Sequence, residues 1–136
     1  KLLMKKRLQV AVAIIVNNEE QVLIARRHAH QHQGDLWEFP GGKREADETR
    51  LEALQREIYE EVGLQVEQAE PLMQIVHDYP DLQVELDVWL VTEFSGEATG
   101  KEGQPLVWCP LAELPAKEFP AANMQIIERL TNLYLV

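Results

Sequence analysis

Residues 42–64 read GKREADETRLEALQREIYEEVGL, and this stretch decides the fold of the chain. Four aliphatic residues recur at the spacing of one helix face and predict an apolar stripe that packs on a core: Leu51, Leu54, Ile58 and Val62. We expect the helix to begin at Asp47 or Glu48, since acids are favoured in a first turn. Gly63 is typical of the residue that ends a helix.

The same stretch carries a cluster of acids. Glu57, Glu60 and Glu61 stand at positions i, i+3 and i+4, which share one face of a helix, beside the apolar stripe. Carboxylates this close repel one another by roughly a few tenths of a kcal/mol per pair. A hard divalent cation with oxygen ligands would relieve that repulsion, so the pattern indicates a Mg²⁺ site. The alternative is a solvated acidic face, which is what most runs of charge are.

The residues around these acids fit phosphate chemistry. Gly41 lets the main chain approach closely and can add a backbone carbonyl ligand. We expect Arg56 to face differently from Glu60, to pair with a neighbouring acid and to orient the cluster, with Glu48 bracing the helix against the loop. A metal held here would polarise a phosphoryl oxygen and lower the pKa of a bound water. One glutamate would take the proton of that water, and we favour Glu57.

Composition narrows the class of protein. The chain has 136 residues, 46% of them hydrophobic, which predicts one domain over residues 1–136 with a real core. No apolar run reaches the roughly 20 residues that span a bilayer, so we expect no membrane partner. The net charge of −10 argues against binding a nucleic-acid polymer. It allows a phosphorylated substrate bound through a metal and a few placed cations.

Two smaller features suggest where the protein works. The single Cys109 excludes an internal disulfide and favours a reducing cytoplasm. No secretory signal is visible at the start of the chain. Met4 followed by two lysines is typical of a natural start, so we expect residues 1–3 to be an extension foreign to the native chain.

The rest of the pattern predicts an α+β fold, with two helices around mixed strands. β-Branched residues predict a hairpin of strands 9–16 and 21–27 about a polar turn. We expect further strands at 36–39, 72–78, 82–94 and 106–109, a helical turn at 111–114 and a closing helix at 121–134. Residues 28–35 are predicted to form a loop.

Residues 42–64 match the Nudix box, G-x5-E-x7-R-E-U-x-E-E-x-G-U with U aliphatic, at every defined position. The chain therefore resembles the Nudix hydrolases, which cleave a nucleoside diphosphate linked to another moiety with Mg²⁺ or Mn²⁺. The resemblance implies a mixed β-sheet sandwiched between α-helices. It also implies the metal ligands Glu57, Glu60, Glu61 and the Gly41 carbonyl, with Arg56 as orienting and Glu48 as supporting residue.

A second resemblance, to the MutT-type members of that family, runs nearly the full length. It rests on LQVAVAIIV, the pair Arg26-Arg27, EFPGGK, WLV, GKEGQP and FPAAN. It implies hydrolysis of 8-oxo-dGTP at the β-phosphorus to 8-oxo-dGMP and pyrophosphate, which cleanses the nucleotide pool. It also implies that Glu102 reaches the metal, that Arg27 and Phe39 hold the nucleotide, and that Asn123 reads the oxidised guanine.

These four residues have chemical reasons for such roles and plainer alternatives. An asparagine amide offers a donor and an acceptor together, matching the O6 and N7–H edge that oxidation creates. Phe39 can stack on a base, and Glu102 lies in a glycine-rich loop that can swing in. Taken alone, Asn123 would be a helix N-cap, Phe39 a core residue, Arg27 a surface ion-pair partner and Glu102 an exposed loop acid.

Departures from the family pattern lie near the predicted base site. The alternating His28, His30 and His32 could bind a transition metal, although an exposed loop is the simpler interpretation. Trp37 could alter the pocket wall.

Two rival functions therefore stay open: a hydrolase of CTP, dCTP or another nucleoside diphosphate derivative, and a Nudix-like binding module without catalysis. The complete box argues against the second. We expect a monomer.

Overall fold

The computed structural model describes residues 5–30 and 34–135, and the predictions for residues 1–3 and His32 lie outside that part. The strands are β1 (Lys6–Ile15), β2 (Gln21–Arg26), β3 (Trp37–Glu38), β4 (Gly41–Lys43), β5 (Gln65–Asp78), β6 (Leu82–Ser95) and β7 (Leu106–Pro110). The helices are α1 (Arg50–Val62) and α2 (Met124–Tyr134), with 3₁₀ turns at Leu111–Ala116 and Ala121–Asn123. The predicted α+β class is confirmed.

The strands form two sheets where one mixed sheet was predicted. The four-stranded sheet has the order β4-β1-β6-β5, in which β1 runs parallel to β6 and the other pairs are antiparallel. The three-stranded sheet has the order β3-β2-β7 and is antiparallel. Among the described residues, no helix is both long and apolar enough to cross a bilayer.

The predicted hairpin of β1 and β2 is wrong. The two strands share a single bridge, Val16 to Val22, and then enter different sheets. β1 instead pairs with β6 along its whole length, from Lys6 opposite Leu82 to Ile15 opposite Val91. Every residue from 11 to 16 is buried, so β1 is an interior strand whose two edges are already taken by β4 and β6.

Two further strand predictions need correction. β4 was not predicted, because a three-residue strand with two glycines carries no alternation to detect. It pairs with β1 so tightly that a Cβ on Gly41 would lie 2.0 Å from the carbonyl oxygen of Ala11. β5 starts before Pro71, not after it, and continues through it with register shifts nearby. Proline is tolerated there because β5 is an edge strand.

Helix α1 begins two or three residues later than predicted. Thr49 is its N-cap and forms a capping box, since its side chain accepts from the Glu52 N–H while the Glu52 carboxylate accepts from the Thr49 N–H. The end at Gly63 is confirmed, with a left-handed φ of 75°. Three of the four stripe residues are fully buried, whereas Leu51 is 40% exposed because it lies in the first turn at the rim of the core.

The two faces of the four-stranded sheet carry separate cores, because successive strand residues point to opposite faces. Ala11, Ala13 and Ile15 pack with the buried side of α1, whereas Val12 and Ile14 pack with α2 and β2. The four-stranded sheet therefore lies between α1, which carries the acids, and α2, which follows Asn123.

Candidate active site

Arg56 is the centre of an ion-pair network at the middle of α1. Its guanidinium donates to Glu48 from Nε at 2.5 Å and from Nη2 at 2.9 Å. Nη1 donates to Glu57 at 2.7 Å and to Glu60 at 3.1 Å, while Nη2 also donates to the Lys43 carbonyl at 3.0 Å. The expectation that Arg56 faces differently from Glu60 is wrong, since i and i+4 residues share a helix face.

Glu61 points the opposite way, into the body of the protein. Its Oε2 accepts from the Gly41 N–H at 3.0 Å. Burial raises the pKa of Glu61 to about 8, and the charges of Glu38, Glu102 and Glu57 push it in the same direction, against the lowering effect of the Gly41 hydrogen bond. The charges of Glu38, Glu57 and Glu102 thus all act on the buried carboxyl of Glu61.

Glu57 lies against the backbone of β4. A Cβ built on Gly42 would stand 1.9 Å from Glu57 Oε2, so only glycine leaves room for this carboxylate. Gly41 and Gly42 are neighbours, which brings the carboxylates of Glu57 and Glu61 to adjacent points of the same strand. Glu60 shares Arg56 Nη1 with Glu57 but is exposed to solvent.

The loop between β6 and β7 brings Glu102 to the same edge. Its backbone follows the end of α1, with hydrogen bonds from Thr99 N to the Val62 carbonyl at 2.9 Å and from Lys101 N to the Glu61 carbonyl at 3.1 Å. The Glu102 side chain is exposed, and its charge acts on Glu61. Of the predicted metal residues, Glu57 and Glu61 thus lie against Gly42 and Gly41, and Glu102 is near enough for its charge to act on Glu61.

The residues predicted to hold the base are Phe39, Asn123 and Arg27, of which Phe39 belongs to the core that packs with α2. Phe39 is buried in the core and stacks on Phe119 with ring centroids 4.8 Å apart. Asn123 occupies the N-cap position of α2, as the alternative interpretation expects, but its side chain makes no capping hydrogen bond. Its Nδ2 donates to the Pro120 carbonyl at 3.4 Å. Arg27 forms an ion pair with Glu38 at 2.7 Å.

Residues 11–129 match the NUDIX domain. The chain belongs to the Nudix family. It is 42% identical over 128 residues to the "8-oxo-dGTP diphosphatase" of Escherichia coli strain K12, covering 94% of this chain and 99% of that protein. It is 36% identical over 115 residues to the "CTP pyrophosphohydrolase" of the same strain, covering 85% and 84%. A solved structure of MutT, from work on Aliivibrio salmonicida and Vibrio cholerae, matches with a TM-score of 0.85 and 35% identity over 95% of this chain and 100% of that one.

The donor set of this Nudix site suits a hard divalent cation. Carboxylate and carbonyl oxygens are the ligands that Mg²⁺ prefers, and a cation bound here would offset the charges of the acids that act on the buried Glu61. Among residues 5–30 and 34–135, no three His, Cys, Asp or Glu side chains converge into a metal-binding group. Glu57 and Glu60 both accept from Arg56 Nη1 through Oε1, whereas Glu57 Oε2 faces Gly42.

The histidine loop can be described only in part. The rings of His28 and His30 stack with centroids 5.5 Å apart, whereas His32 lies outside the described residues. Trp37 lies between two cations, with Arg26 and Lys117 at 5.4 and 5.7 Å from its ring centroid. Metal binding by this Nudix loop and an effect of Trp37 on the base pocket stay predictions.

Sequence reasoning about this Nudix chain missed two residues. Glu38 contributes to the electrostatics of Glu61 and pairs with Arg27. Gln104 is buried in a loop of exposed residues and contacts both Glu61 and Glu102. Both stand inside quoted segments, EFPGGK and GKEGQP, but single polar residues carry no signal of burial or contact in a sequence.

Proposed function

We propose that the protein is a divalent-metal-dependent nucleoside triphosphate pyrophosphohydrolase whose substrate is 8-oxo-dGTP. The products would be 8-oxo-dGMP and pyrophosphate, and the biological effect would be removal of an oxidised precursor before DNA replication. The observation that carries the proposal is the placement of Glu61 against Gly41 and of Glu57 against Gly42, on one strand of a Nudix chain. The relative named "8-oxo-dGTP diphosphatase" supports the choice of substrate.

The phosphate end of the substrate would lie over β4. Glu57, Glu61, Glu102 and the Gly41 carbonyl would hold Mg²⁺, for which Mn²⁺ can substitute, and Glu60 would join when it rotates away from Arg56. When bound, the ion would polarise phosphoryl oxygens and lower the pKa of a water. Net negative charge at this edge otherwise repels a triphosphate.

The chain's own residues would then divide the chemistry. Glu57 would accept a proton from the attacking water, as the oxygen of that water bonds to the β-phosphorus and the bond from that phosphorus to the α-phosphate oxygen breaks. Arg56, through its hydrogen bond to Glu57, would fix the direction of that carboxylate. The monophosphate leaves with the bridging oxygen, so atoms and charge balance over water and triphosphate.

Recognition of the base would fall to the C-terminal side. Asn123 keeps its carboxamide oxygen out of helix capping, and so can accept the N7–H that only the oxidised base presents, while Nδ2 donates to O6. Phe39 would contact the base through the edge of its ring, and Arg27 would bind the sugar or phosphate. A site with a buried acceptor rejects a base that lacks the matching donor, since a polar group is then left unpaired.

A second candidate is hydrolysis of CTP or dCTP. The 36% identity to a protein named "CTP pyrophosphohydrolase" favours it as the alternative. It keeps the same phosphate chemistry and changes the base contacts alone. We further propose a monomeric cytoplasmic enzyme, which agrees with the buried free thiol of Cys109.

The test is a product assay with purified protein on 8-oxo-dGTP, dGTP, CTP and dCTP, with Mg²⁺ and with a chelator. We expect Mg²⁺-dependent pyrophosphate release, fastest with 8-oxo-dGTP. Glu57→Gln should lower kcat by at least about a hundredfold with an unchanged melting temperature, while the exposed Glu93→Gln serves as control. An unchanged rate in Glu57→Gln would contradict the role of Glu57 as the base. Faster release of pyrophosphate from CTP than from 8-oxo-dGTP would favour the alternative function.

The position of attack has a separate test. In water labelled with heavy oxygen, attack at the β-phosphorus puts the label into pyrophosphate. Label in the monophosphate would show attack at the α-phosphorus instead. The α-phosphate, and not the β-phosphate, would then have to lie beside Glu57.

A further inference from the structure

Gln104 is the buried polar side chain of an exposed loop. The loop between β6 and β7 is mostly open to solvent, yet Gln104 is only 8% exposed. Burying a primary amide is unfavourable unless its donor and acceptor are both satisfied. Its position therefore needs a reason in the contacts that it makes.

Those contacts join two residues of the candidate metal site. Gln104 Oε1 accepts from the Glu102 N–H at 2.9 Å, and Gln104 Nε2 donates to the Glu61 carbonyl at 3.3 Å. The Glu61 carbonyl belongs to the last turn of α1, where carbonyls lack helical partners. One side chain thus connects the backbone of Glu102 to the backbone of Glu61.

The surrounding backbone is shaped to place this amide. Gly100 lets the loop fold back onto itself, because a Cβ there would lie 2.1 Å from the Gln104 carbonyl oxygen. Gly103, between Glu102 and Gln104, has a φ of 80°, which a residue with a side chain adopts only under strain. These two glycines bring Glu102 and Gln104 close enough for the side chain of one to cap the N–H of the other.

We propose that Gln104 is a positioning residue that fixes Glu102 relative to Glu61. The inference rests on the proposed function, in which both acids hold the metal. Without the amide bridge, the loop keeps its backbone hydrogen bonds from Thr99 and Lys101 to α1, but the backbone N–H of Glu102 loses its partner and Glu102 is held less firmly relative to Glu61. Partners of metal ligands typically change metal affinity or activity by roughly ten- to hundredfold when they are removed.

The decisive variant is Gln104→Met, which keeps the length of the side chain and removes both hydrogen bonds. The matched control is Thr99→Val, in the same loop, whose hydroxyl donates to the nearby Glu97 carbonyl at 3.3 Å. In metal-free protein we expect the Glu102 amide to exchange with solvent at least about tenfold faster in Gln104→Met than in wild type. Thr99→Val should leave that amide as protected as in wild type.

Metal binding and turnover complete the test. We expect Gln104→Met to weaken Mn²⁺ binding, measured by electron paramagnetic resonance, and to lower kcat by roughly ten- to hundredfold with little change in KM. Faster amide exchange together with wild-type Mn²⁺ affinity and kcat would overturn the proposal, as would an unchanged Glu102 amide. Amide exchange and Mn²⁺ binding report on the bridge even when no nucleotide is hydrolysed. A failure of the proposed function can therefore be told apart from a failure of the positioning role of Gln104.

A second variant covers a failure of Gln104→Met to fold. Gln104→Glu keeps the oxygen that accepts from Glu102 and loses the donor to the Glu61 carbonyl. We expect the Glu102 amide to stay protected while kcat falls, because the link to α1 is broken. A kcat equal to that of wild type in this variant would overturn the proposal.

Discussion

Arg56 donates two parallel hydrogen bonds to Glu48, from Nε to Oε2 at 2.5 Å and from Nη2 to Oε1 at 2.9 Å. This forked geometry is the strongest that a guanidinium and a carboxylate form. Glu48 lies ahead of α1 and Arg56 in its middle, so the pair fixes the loop to the helix. The same guanidinium reaches Glu57, which makes the orientation of that acid depend on Glu48 as well.

The Arg56 pair predicts a pH dependence of stability. The hydrogen bond from Arg56, assisted by the Glu45 N–H, lowers the pKa of Glu48 from 4.5 to about 2. A group with a lowered pKa stabilises the fold above its unfolded pKa, and this contribution is lost as the pH falls through the folded value. We expect the difference in unfolding free energy between wild type and Glu48→Gln to be constant above pH 4.5 and to shrink toward pH 2.

Urea unfolding at a series of pH values measures this difference. Glu45→Gln is the matched control, since Glu45 is 64% exposed and stands 4.0 Å from Arg56. It should show no such pH dependence. A difference between wild type and Glu48→Gln that persists unchanged at the lowest pH would contradict the role of ionised Glu48.

Substitution of Gly42 should lower the activity of the enzyme without disturbing its fold. In Gly42→Ala, the new Cβ would stand 1.9 Å from Glu57 Oε2, and the carboxylate must move. The obstacle is the end of a flexible side chain, so the melting temperature should change little. We expect kcat to fall by about a hundredfold, which a displacement of about 1 Å can cause.

Gly41→Ala is the contrasting variant for this prediction. Its Cβ would lie 2.0 Å from the Ala11 carbonyl oxygen, a backbone atom in an interior strand that cannot yield. Its melting temperature should therefore fall along with its activity. Wild-type kcat in Gly42→Ala would mean that Glu57 works from another position.

The apolar stripe of α1 predicts a graded loss of stability. Leu54 is fully buried, so Leu54→Ala should lower the unfolding free energy by about 2–5 kcal/mol. Leu51 is 40% exposed, and Leu51→Ala should cost less than about 1 kcal/mol. Urea unfolding of both variants measures the contrast. Equal losses would place Leu51 in the core, as its spacing in the sequence alone suggests.

The difference between Leu51 and Leu54 shows what a sequence can and cannot predict. Periodicity and the terminal Gly63 are local signals, so α1 and its end were predicted closely. The start was missed because acids at 47 and 48 resemble a first turn, whereas Thr49 makes the cap. Exposure of Leu51 depends on the distance from the sheet, which no local signal contains.

Strand pairing depends even more on distant residues. A polar turn between two β-branched runs predicts a hairpin, but the partner of β1 is β6, whose paired residues lie 76 positions further along the chain, because an interior strand buries more surface. At the site, the spacing of the acids placed them on α1, and the family pattern added Glu102. The burial of Glu61 and the bridge through Gln104 arise from tertiary contacts, which spacing does not encode.

We expect Asn123 to be the source of selectivity for the oxidised base. Asn123→Ala removes both the donor and the acceptor that would read O6 and N7–H. We expect the ratio of kcat/KM for 8-oxo-dGTP over dGTP to fall by roughly ten- to hundredfold, with kcat on dGTP nearly unchanged. The control is Asn132→Ala, the same change at an exposed position of α2. Because Asn123 makes no capping hydrogen bond, its loss should not weaken the helix. Equal losses on both nucleotides would show that Asn123 shapes the fold and that selectivity for the oxidised base comes from elsewhere.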